Sequence, residues 1–571
     1  MIGAVDLFLL YFNYTDPRLP RRGRDLDIVP EEETSFSKMS KKSNLTEENE
    51  IKSVVCKLRD TYNTGMTRDY SWRVSQIKRL KAMLIENESQ ISEALYKDLG
   101  RCKFEALGLE VCPQYMEIDL ALSQLHNWMK PNYTPVPALI EPATSEYIYE
   151  PYGVCLILGA FNYPFFLLTG PFLGAIVAGN CAVVKPSELS VHSEKLISEL
   201  IPKYLDKDAF RVINGGVSTS EILLKQQWDK IFFTGSPRVG KLVMKAAAEF
   251  LTPVSLELGG KSPAIIDESV ADLDLVTQRI LWGKFANAGQ TCIAPDYILC
   301  HNKHYDKFLE KVVATIERFY GKDIKLSKDF GRIITENHCK RLKELIEDCK
   351  HNKFNIIFGG TVDISNRYVE PTVIANITKS NSKIMTDEIF GPLLPIIPID
   401  DINEAISYIQ SNGRENPLAL YIFAKNKANI EKIITSVPSG GVLVNDTLYH
   451  CGTSFIPFGG KGNSGLGSYH GKFSFECFSH RRAILRRDDH YLFDVSIRYP
   501  PYTDLGFRIF KFVAGWPSIP HVTTRRNLFV LLSAIYFLYN YQIIGELISE
   551  LITILGKYTP KLFYFPKFNI F

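Results

Sequence analysis

The sequence lacks several patterns that would assign it to common classes of protein. None of its 11 cysteines forms a CxxC pair, and no group of Cys and His has the spacing of zinc ligands. Neither a disulfide framework nor a metal centre is therefore expected. The absence of a disulfide pattern predicts a reducing compartment. The 66 Lys and Arg residues nearly balance the 63 Asp and Glu residues, and this net charge of +3 gives no reason to expect a nucleic-acid partner.

A secretory signal is also not favoured at the amino end. Residues 1–16 contain a short apolar run, but no basic segment precedes it and Asp6 interrupts it. Residues 22–50 are polar and charged, a composition that does not support a packed core. We therefore predict that residues 1–49 form a disordered amino-terminal extension.

Strands alternating with helices are predicted over most of the remaining chain. From residue 50 to about residue 129, apolar residues recur at helical spacings of three and four. Compact apolar runs typical of buried parallel strands then follow, at residues 153–159, 181–184, 231–233 and 254–258. The predicted fold class is α/β with a doubly wound parallel sheet, and such sheets bind ligands at the carboxyl ends of their strands.

Two motifs at predicted strand ends suit a dinucleotide. Gly235, Ser236 and Gly240 lie where a strand ends and a helix begins, and a helix amino terminus favours the negative charge of a diphosphate. The alternative there is a tight turn without a ligand. Lys185 and Glu188 follow another strand, where both side chains are able to bond ribose hydroxyls and the carboxylate disfavours a 2′-phosphate. The alternative for this pair is a surface salt bridge.

Two further residues are candidates for the chemistry. Glu257 lies within an apolar strand, so its carboxylate must be paired or have a raised pKa, and the second case makes a general base. Cys292 follows Gly289, Gln290 and Thr291, whose small or flexible side chains allow a substrate to approach the thiol. The alternative for Glu257 is a structural carboxylate whose hydrogen bonds are all made. The alternative for Cys292 is an inert cysteine in the core.

Taken in order, these motifs resemble those of the aldehyde dehydrogenase superfamily, from about residue 50 to about residue 500. Six motifs carry the resemblance, at residues 161–164, 185–188, 235–240, 257–261, 289–292 and 388–392. Further segments resemble the class 3 branch, which includes the fatty aldehyde dehydrogenases, and the body is most similar to the fungal enzymes with a hydrophobic carboxyl tail. Those segments lie at residues 282–285, 294–297, 457–460, 467–472 and 498–501.

The resemblance implies roles for three catalytic residues. Cys292 is expected to attack the aldehyde carbon and form a thiohemiacetal. The Asn162 amide and the Cys292 backbone N–H are expected to stabilise the oxyanion. Glu257 is expected to activate the water that hydrolyses the resulting thioester.

The resemblance also implies a nicotinamide cofactor, NAD with NADP possible, and no metal. Lys185 and Glu188 are expected to hold the adenosine ribose. Ser236 is expected to hold the diphosphate and Glu388 the nicotinamide ribose, with Phe390 counted among the cofactor-binding residues. Hydride transfer then belongs to the cofactor, while the protein supplies binding and orientation.

The domain organisation follows from the same resemblance. A Rossmann-type cofactor domain is expected at residues 50–130 and 150–257, and an α/β catalytic domain at 258–450. A small oligomerisation arm is expected at 131–149 and 451–500, which implies a homodimer.

The carboxyl tail, residues 525–571, is predicted to associate with a membrane or lipid surface. Two arginines precede the 19 uncharged residues 527–545. As a helix this run spans ~28 Å, against ~30 Å for a hydrocarbon core. Residues 543–555 form an amphipathic pattern suited to an interface. The arginines favour an enzyme body facing the cytosol, on the endoplasmic reticulum, the outer mitochondrial membrane or a lipid droplet.

The favoured function is NAD-dependent oxidation of medium- to long-chain aliphatic aldehydes to carboxylic acids. Three alternatives stay open at this point. One is a dehydrogenase for aromatic or short aldehydes, and the second is a catalytically silent membrane protein on the same fold. The third is an acylating relative that passes the thioester to coenzyme A.

Overall fold

The computed structural model describes most of the chain between residues 35 and 515. The described residues are 35–140, 143–377, 382–411, 416–487 and 496–515, with Asp489, Asp494 and Ser549. The predicted tail at 525–571 lies outside them except for Ser549, and so do residues 1–34 of the predicted extension. Within the described ranges, no helix is both long enough and apolar enough to cross a membrane.

The helices are spread along the whole described chain. They are α1 (Ser35–Asn63), α2 (Tyr70–Glu86), α3 (Glu88–Leu99), α4 (Lys103–Ala106), α5 (Cys112–Trp128), α6 (Phe166–Ala178), α7 (Val191–Tyr204), α8 (Val217–Leu224), α9 (Pro237–Ala248), α10 (Leu273–Phe285), α11 (Asn302–Tyr320), α12 (Glu336–His351), α13 (Lys383–Thr386), α14 (Ile402–Ser411), α15 (Lys427–Ser436), α16 (Lys472–Cys477) and α17 (Asp504–Ala514).

The strands alternate with these helices from residue 132 onwards. They are β1 (Asn132–Thr134), β2 (Ala143–Pro151), β3 (Val154–Leu158), β4 (Cys181–Lys185), β5 (Phe210–Val212), β6 (Lys230–Gly235), β7 (Val254–Leu258), β8 (Pro263–Ile266), β9 (Tyr297–His301), β10 (Asn355–Phe358), β11 (Val362–Asp363), β12 (Tyr368–Val369), β13 (Thr372–Ala375), β14 (Leu393–Ile399), β15 (Ala419–Phe423), β16 (Gly441–Val444), β17 (Gly465–Leu466) and β18 (Ser479–Arg487).

The amino-terminal part of the described chain forms a long helix. The chain divides into two units, Met1–Glu50 and Ile51–Phe571, and the packing described below lies within the second. Residues 35–49, which the sequence placed in a disordered extension, are helical in the structure, and the boundary at residue 49 stays a prediction. No proline or glycine interrupts residues 35–63, so helical hydrogen bonding continues without a break.

A six-stranded sheet confirms the predicted parallel strands. Its order is β17-β7-β6-β3-β4-β5, with β3 to β7 parallel and β17 antiparallel at one edge. Every residue of β3 and β4 is buried, as expected for continuous apolar runs covered on both faces. Helix α6 is apolar on all sides because it packs against β3 and β4 and also against α2, α5 and α16.

A second sheet is built from the following half of the chain. Its order is β10-β13-β14-β9-β8-β15-β16, and only β10 runs antiparallel to its neighbour. The two large parallel sheets, with helices between their strands, bear out the predicted α/β class.

A third, smaller sheet joins two distant parts of the sequence. Strand β2 lies between β1 and β18 and pairs antiparallel with both, with β18 in register from Ser479 opposite Pro151 to Arg487 opposite Ala143. These strands fall within the predicted arm at 131–149 and 451–500, except for the last two residues of β2. However, β17 lies in the same predicted range and pairs with β7 of the six-stranded sheet. The domain boundaries themselves stay predictions.

Candidate active site

The carboxyl ends of four parallel strands meet at one edge of the six-stranded sheet. The register places Leu158 of β3 beside Lys185 of β4, and Thr234 of β6 beside Glu257 of β7. A cavity of about 640 Å³ opens at this edge. Its position is the one expected for a ligand on a doubly wound sheet, and its size is that of a small-molecule site.

The cavity brings together residues that are far apart in the sequence. All the predicted site residues except Gly240 line it, namely Asn162, Lys185, Glu188, Gly235, Ser236, Glu257, Cys292, Glu388 and Phe390. Gly240 does not line the cavity, and a Cβ added there would lie 2.8 Å from Leu258 Cδ2. Gly240 therefore allows close packing of α9 on β7, and its contact with the cofactor stays a prediction.

One end of the cavity carries the features of a dinucleotide site. Ser236 caps α9 by accepting a hydrogen bond from the Val239 N–H at 3.4 Å, so the amino terminus of this 12-residue helix faces the cavity. The Lys185 ammonium lies 3.1 Å from a Glu188 carboxylate oxygen, and it also donates to the Pro186 carbonyl at 3.2 Å. The Glu188 side chain lines the cavity and is 38% exposed, so its carboxylate is accessible to a ligand there.

Glu388 reaches the cavity from the other sheet and depends on a glycine for its position. A Cβ on Gly259 would lie only 1.9 Å from Glu388 Oε2, so a larger residue at 259 would displace the Glu388 carboxyl group. Burial and the charge of Asp296 raise the pKa of Glu388 to about 8, although the Gly260 N–H and the Lys261 ammonium lower it. At neutral pH this carboxyl is mostly protonated, and it is able both to donate and to accept hydrogen bonds with ribose hydroxyls.

Glu257 is the most isolated acid of the site. Within the described part of the chain, neither carboxyl oxygen has a hydrogen-bond partner. Burial raises its pKa well above that of an ordinary carboxyl. An unpaired buried carboxyl is costly for stability, and perturbed groups of this kind concentrate at functional sites.

The Cys292 thiol lies in the same apolar surroundings. Burial raises its pKa well above the ordinary value, and the nearby carboxyls of Glu388 and Glu257 raise it further. The backbone N–H of Cys292 acts in the opposite direction and favours the thiolate. The nucleophile is therefore held mainly as a thiol until a base or a ligand charge acts on it.

Asn162 is fixed against the loop that carries Cys292. Its side-chain amide donates to the Gln290 carbonyl at 3.0 Å. A primary amide has two N–H donors, and the second is able to serve a substrate oxygen. The Asn287 side chain also holds this arrangement, because it donates to the Asn162 carbonyl at 2.8 Å and to the Gln290 carbonyl at 3.1 Å.

Sequence reasoning missed three residues of this region. Asn287 has a left-handed backbone, with φ of 52°, and its place just before the cysteine motif was a usable signal because Asn favours this conformation. His338 and Arg341 of α12 line the cavity too, and the His338 ring lies 5.4 Å from the Phe161 ring. No sequence pattern near His338 or Arg341 indicated a site, because only the tertiary fold brings α12 to the cavity.

The residues present fit a dinucleotide at this site. The capped amino terminus of α9 suits a diphosphate, and the Lys185–Glu188 pair suits a ribose. The buried Thr234 hydroxyl has no hydrogen-bond partner among the described residues and is open to a ligand. A nucleophilic cysteine and a buried base at the far end of the same cavity define the class of a dinucleotide-dependent oxidoreductase acting through a covalent intermediate.

Comparison with known proteins identifies the family. The aldehyde dehydrogenase family model matches residues 30–484, and the chain belongs to that family. Aldehyde dehydrogenase family 3 member H1 of Arabidopsis thaliana is 44% identical over 464 residues, covering 81% of this chain and 94% of the relative. Family 3 member A2 of Rattus norvegicus is 45% identical over 452 residues, covering 79% and 91%.

A solved structure supports the same conclusion. The substrate-bound AldH of Staphylococcus aureus superimposes with a TM-score of 0.77 at 40% identity, covering 81% of this chain and 99% of that chain. The predicted resemblance to the class 3 branch is thus confirmed. The protein is an aldehyde-oxidising oxidoreductase that uses a nicotinamide dinucleotide.

Proposed function

We propose that the protein oxidises medium- to long-chain aliphatic aldehydes to carboxylic acids through a thioester on Cys292. The observation that carries the chemistry is the shared cavity, which Cys292, Glu257 and Asn162 line together with the cofactor-site residues. A silent protein on the same fold has no need of an unpaired buried acid near a partly buried thiol.

In the first half of the reaction, a carbon–sulfur bond forms. The Cys292 thiol gives its proton to water, its sulfur attacks the carbonyl carbon, and the carbonyl oxygen takes up the negative charge of the broken π bond. The free N–H of Asn162 and the backbone N–H of Cys292 stabilise that charge. A nicotinamide dinucleotide held by Lys185, Glu188 and Ser236 would supply the acceptor for the hydride of this carbon, which would leave the carbon attached to sulfur as a thioester.

In the second half, water cleaves the thioester. Deprotonated Glu257 takes a proton from water as the oxygen attacks the acyl carbon. The carbon–sulfur bond breaks, sulfur leaves as thiolate and the carboxylic acid is released. The acylating alternative, transfer to coenzyme A, does not need a water-activating base at this place. Glu257 therefore favours hydrolysis.

The length of the aldehyde chain is the least constrained part of the proposal. It is supported by the likeness to family 3 enzymes and by the hydrophobic tail of the sequence. The test is turnover of hexadecanal by the purified full chain, followed by absorbance of the reduced cofactor, beside short aldehydes and benzaldehyde. We expect the highest kcat/KM for hexadecanal, and a preference for benzaldehyde would instead establish the aromatic alternative.

We propose NAD as the preferred cofactor because of Glu188. Its half-exposed carboxylate lies at the cavity mouth, where it repels a 2′-phosphate. A relative from Mus musculus, 46% identical over 453 residues, is named as dimeric and NADP-preferring, so the preference differs within the group. Replacing Glu188→Gln should move the ratio of kcat/KM for NADP over NAD upward by roughly tenfold, ~1.4 kcal/mol. An unchanged ratio would exclude Glu188 as the determinant.

We propose that the enzyme associates with a membrane through residues 525–571 and faces the cytosol. The support is the uncharged run at 527–545 and the preceding arginines. In addition, α17 exposes Leu505 and Phe507 shortly before this tail, at 68% and 66%. Deleting residues 525–571 should move the protein from the membrane pellet to the supernatant without loss of turnover. A truncated protein that still pellets would refute this proposal.

We also propose a homodimer. The word "dimeric" in the name of the Mus musculus relative supports it, as does β18, which forms an edge of the three-stranded sheet with nine residues. Long edge strands are commonly covered by another chain. Light scattering on the purified protein in detergent should give twice the mass of the chain, about 130 kDa from its 64.8 kDa. A monomer mass would overturn the assignment.

A further inference from the structure

A buried arginine lies behind the two loops that carry the catalytic groups. Arg101 is completely buried, and a buried charge costs several kcal/mol unless close partners compensate it. Its guanidinium forms an ion pair with Glu110 and donates to the Glu105 carbonyl at 3.2 Å. Its Cζ atom also lies 4.6 Å from the centre of the Tyr163 ring. Arg101 does not touch the cavity, so its partners must explain why it is there.

The first partner holds the loop that carries Asn162. Glu110 lies in a π-helical turn, Leu107–Val111, a local widening that is often found at functional sites. One carboxylate oxygen accepts hydrogen bonds from the backbone N–H groups of Phe165 at 2.9 Å and Phe166 at 3.2 Å. The ion pair thereby anchors the chain three residues after Asn162.

The second partner holds the loop that carries Cys292. The Glu105 carboxylate, 3.9 Å from the Arg101 Nε, accepts a hydrogen bond from the Asn287 backbone N–H at 3.1 Å. Asn287 and Ala288 both have left-handed backbones, with φ of 52° and 50°. Two consecutive residues in this region are strained and persist only where their surroundings hold them.

The third partner joins the two loops directly. The Tyr163 hydroxyl lies 2.7 Å from the Thr291 hydroxyl, and the two are hydrogen-bonded. Tyr163 is the neighbour of Asn162, and Thr291 is the neighbour of Cys292. Arg101 stacks on the ring of that tyrosine, so each of its contacts ends close to a catalytic group.

From these contacts we infer that Arg101 is a positioning residue, which sets the Asn162 amide relative to the Cys292 sulfur for attack on the aldehyde. This inference rests on the proposed function. The attack requires the Cys292 sulfur close to the carbonyl carbon and the Asn162 N–H close to the carbonyl oxygen of the same aldehyde. Misplacement of reacting groups by about 1 Å costs roughly 100-fold in rate. The dinucleotide end of the cavity has no contact with Arg101 among the hydrogen bonds and ion pairs of the described chain.

The test uses the full chain with Arg101→Met, which removes the charge and keeps most of the volume. Arg73→Met is the matched control: Arg73 is also buried, at 4% exposure, and it donates to the carbonyls of Thr67 at 3.0 Å and Val177 at 3.1 Å. Both variants are expected to lower the melting temperature. The aldehyde-dependent burst of reduced cofactor is then measured at a temperature at which both are fully folded.

We expect the burst rate constant of Arg101→Met to fall about 100-fold, while the Kd for the dinucleotide changes less than twofold. Arg73→Met should keep the wild-type burst. Arg101→Lys retains the charge beside Glu110. Its burst rate constant should be at least tenfold higher than that of Arg101→Met. It also remains informative if the Met variant does not fold.

Two results would overturn the inference. One is a wild-type burst in Arg101→Met. The other is an equal fall in Arg101→Met and Arg73→Met, since it would show a general effect of destabilisation. Absence of aldehyde-dependent cofactor reduction in the wild-type enzyme, in the burst and in the steady state alike, is a different result, because it would overturn the proposed function itself.

Discussion

The two ends of the active-site cavity are built in opposite ways. At the cofactor end, Glu188 is 38% exposed, and Ser236 presents a helix terminus to the opening. At the chemical end, Glu257 is buried and Cys292 and Glu388 are partly buried, and the loss of solvent around them raises the pKa of all three. A polar dinucleotide is recognised with little desolvation of the protein, whereas the acyl chemistry takes place among groups kept dry. Dry surroundings strengthen the interactions that act on developing charge.

The largest effect should come from removing the nucleophile at the dry end. Cys292→Ala should lower kcat by roughly ten-thousand-fold, because no other group on the cavity wall forms the thiohemiacetal. The dinucleotide Kd should stay within twofold, because the open end is untouched. Fluorescence titration and steady-state turnover measure the two quantities. Full turnover in this variant would disprove the assignment of Cys292.

The second prediction separates the two halves of the reaction. Glu257→Gln keeps the size of the side chain but removes the base, so steady-state turnover should fall about 100- to 1000-fold. Thioester formation does not need this base, so a burst of one reduced cofactor per active site should remain. Stopped-flow absorbance resolves both phases. If the burst disappears together with turnover, Glu257 acts in the attack on the aldehyde instead.

The pH dependence of Cys292 alkylation should show how strongly the thiol is shielded from water. Because burial and the carboxyls of Glu388 and Glu257 raise its pKa, the thiolate fraction is small at neutral pH and grows as pH rises. Alkylation by iodoacetamide should accelerate about tenfold per pH unit, up to a midpoint above the ordinary thiol range. The reactivity of Cys292→Ala gives the background from the other cysteines. A midpoint below the ordinary range would show that the dinucleotide-free site is more polar than the structure implies.

The smallest effect tests whether Gly240 belongs to the cofactor end at all. A Cβ at this position meets Leu258 Cδ2 at 2.8 Å, so Gly240→Ala should lower the free energy of unfolding by about 1 kcal/mol. The greater helix propensity of Ala offsets part of the strain. Denaturant unfolding measures the change, and the dinucleotide Kd should not move. A weaker Kd at unchanged stability would confirm Gly240 as a cofactor residue.

The sequence was most informative where function depends on local geometry. The buried strands β3, β4, β6 and β7 follow from their apolar runs, since a parallel strand covered on both faces must be apolar throughout. The helix start at Ser236 follows from local capping chemistry. The sequence was less informative where an effect is not local. Residues 35–49 form the first part of α1, before the apolar pattern starts, and β17 pairs with a strand some 200 residues earlier in the chain.

The sequence alone thus determined the parallel α/β core and the family resemblance and proposed Cys292 as the nucleophile, because these depend on short patterns. Only the tertiary structure decided how Glu257 and Cys292 are surrounded, since burial and the loss of hydrogen-bond partners depend on elements from distant parts of the chain. It also decided that Arg101 lies behind both catalytic loops. No pattern near residue 101 shows that its partners reach Asn287 and Phe165, because those contacts exist only after the loops have packed.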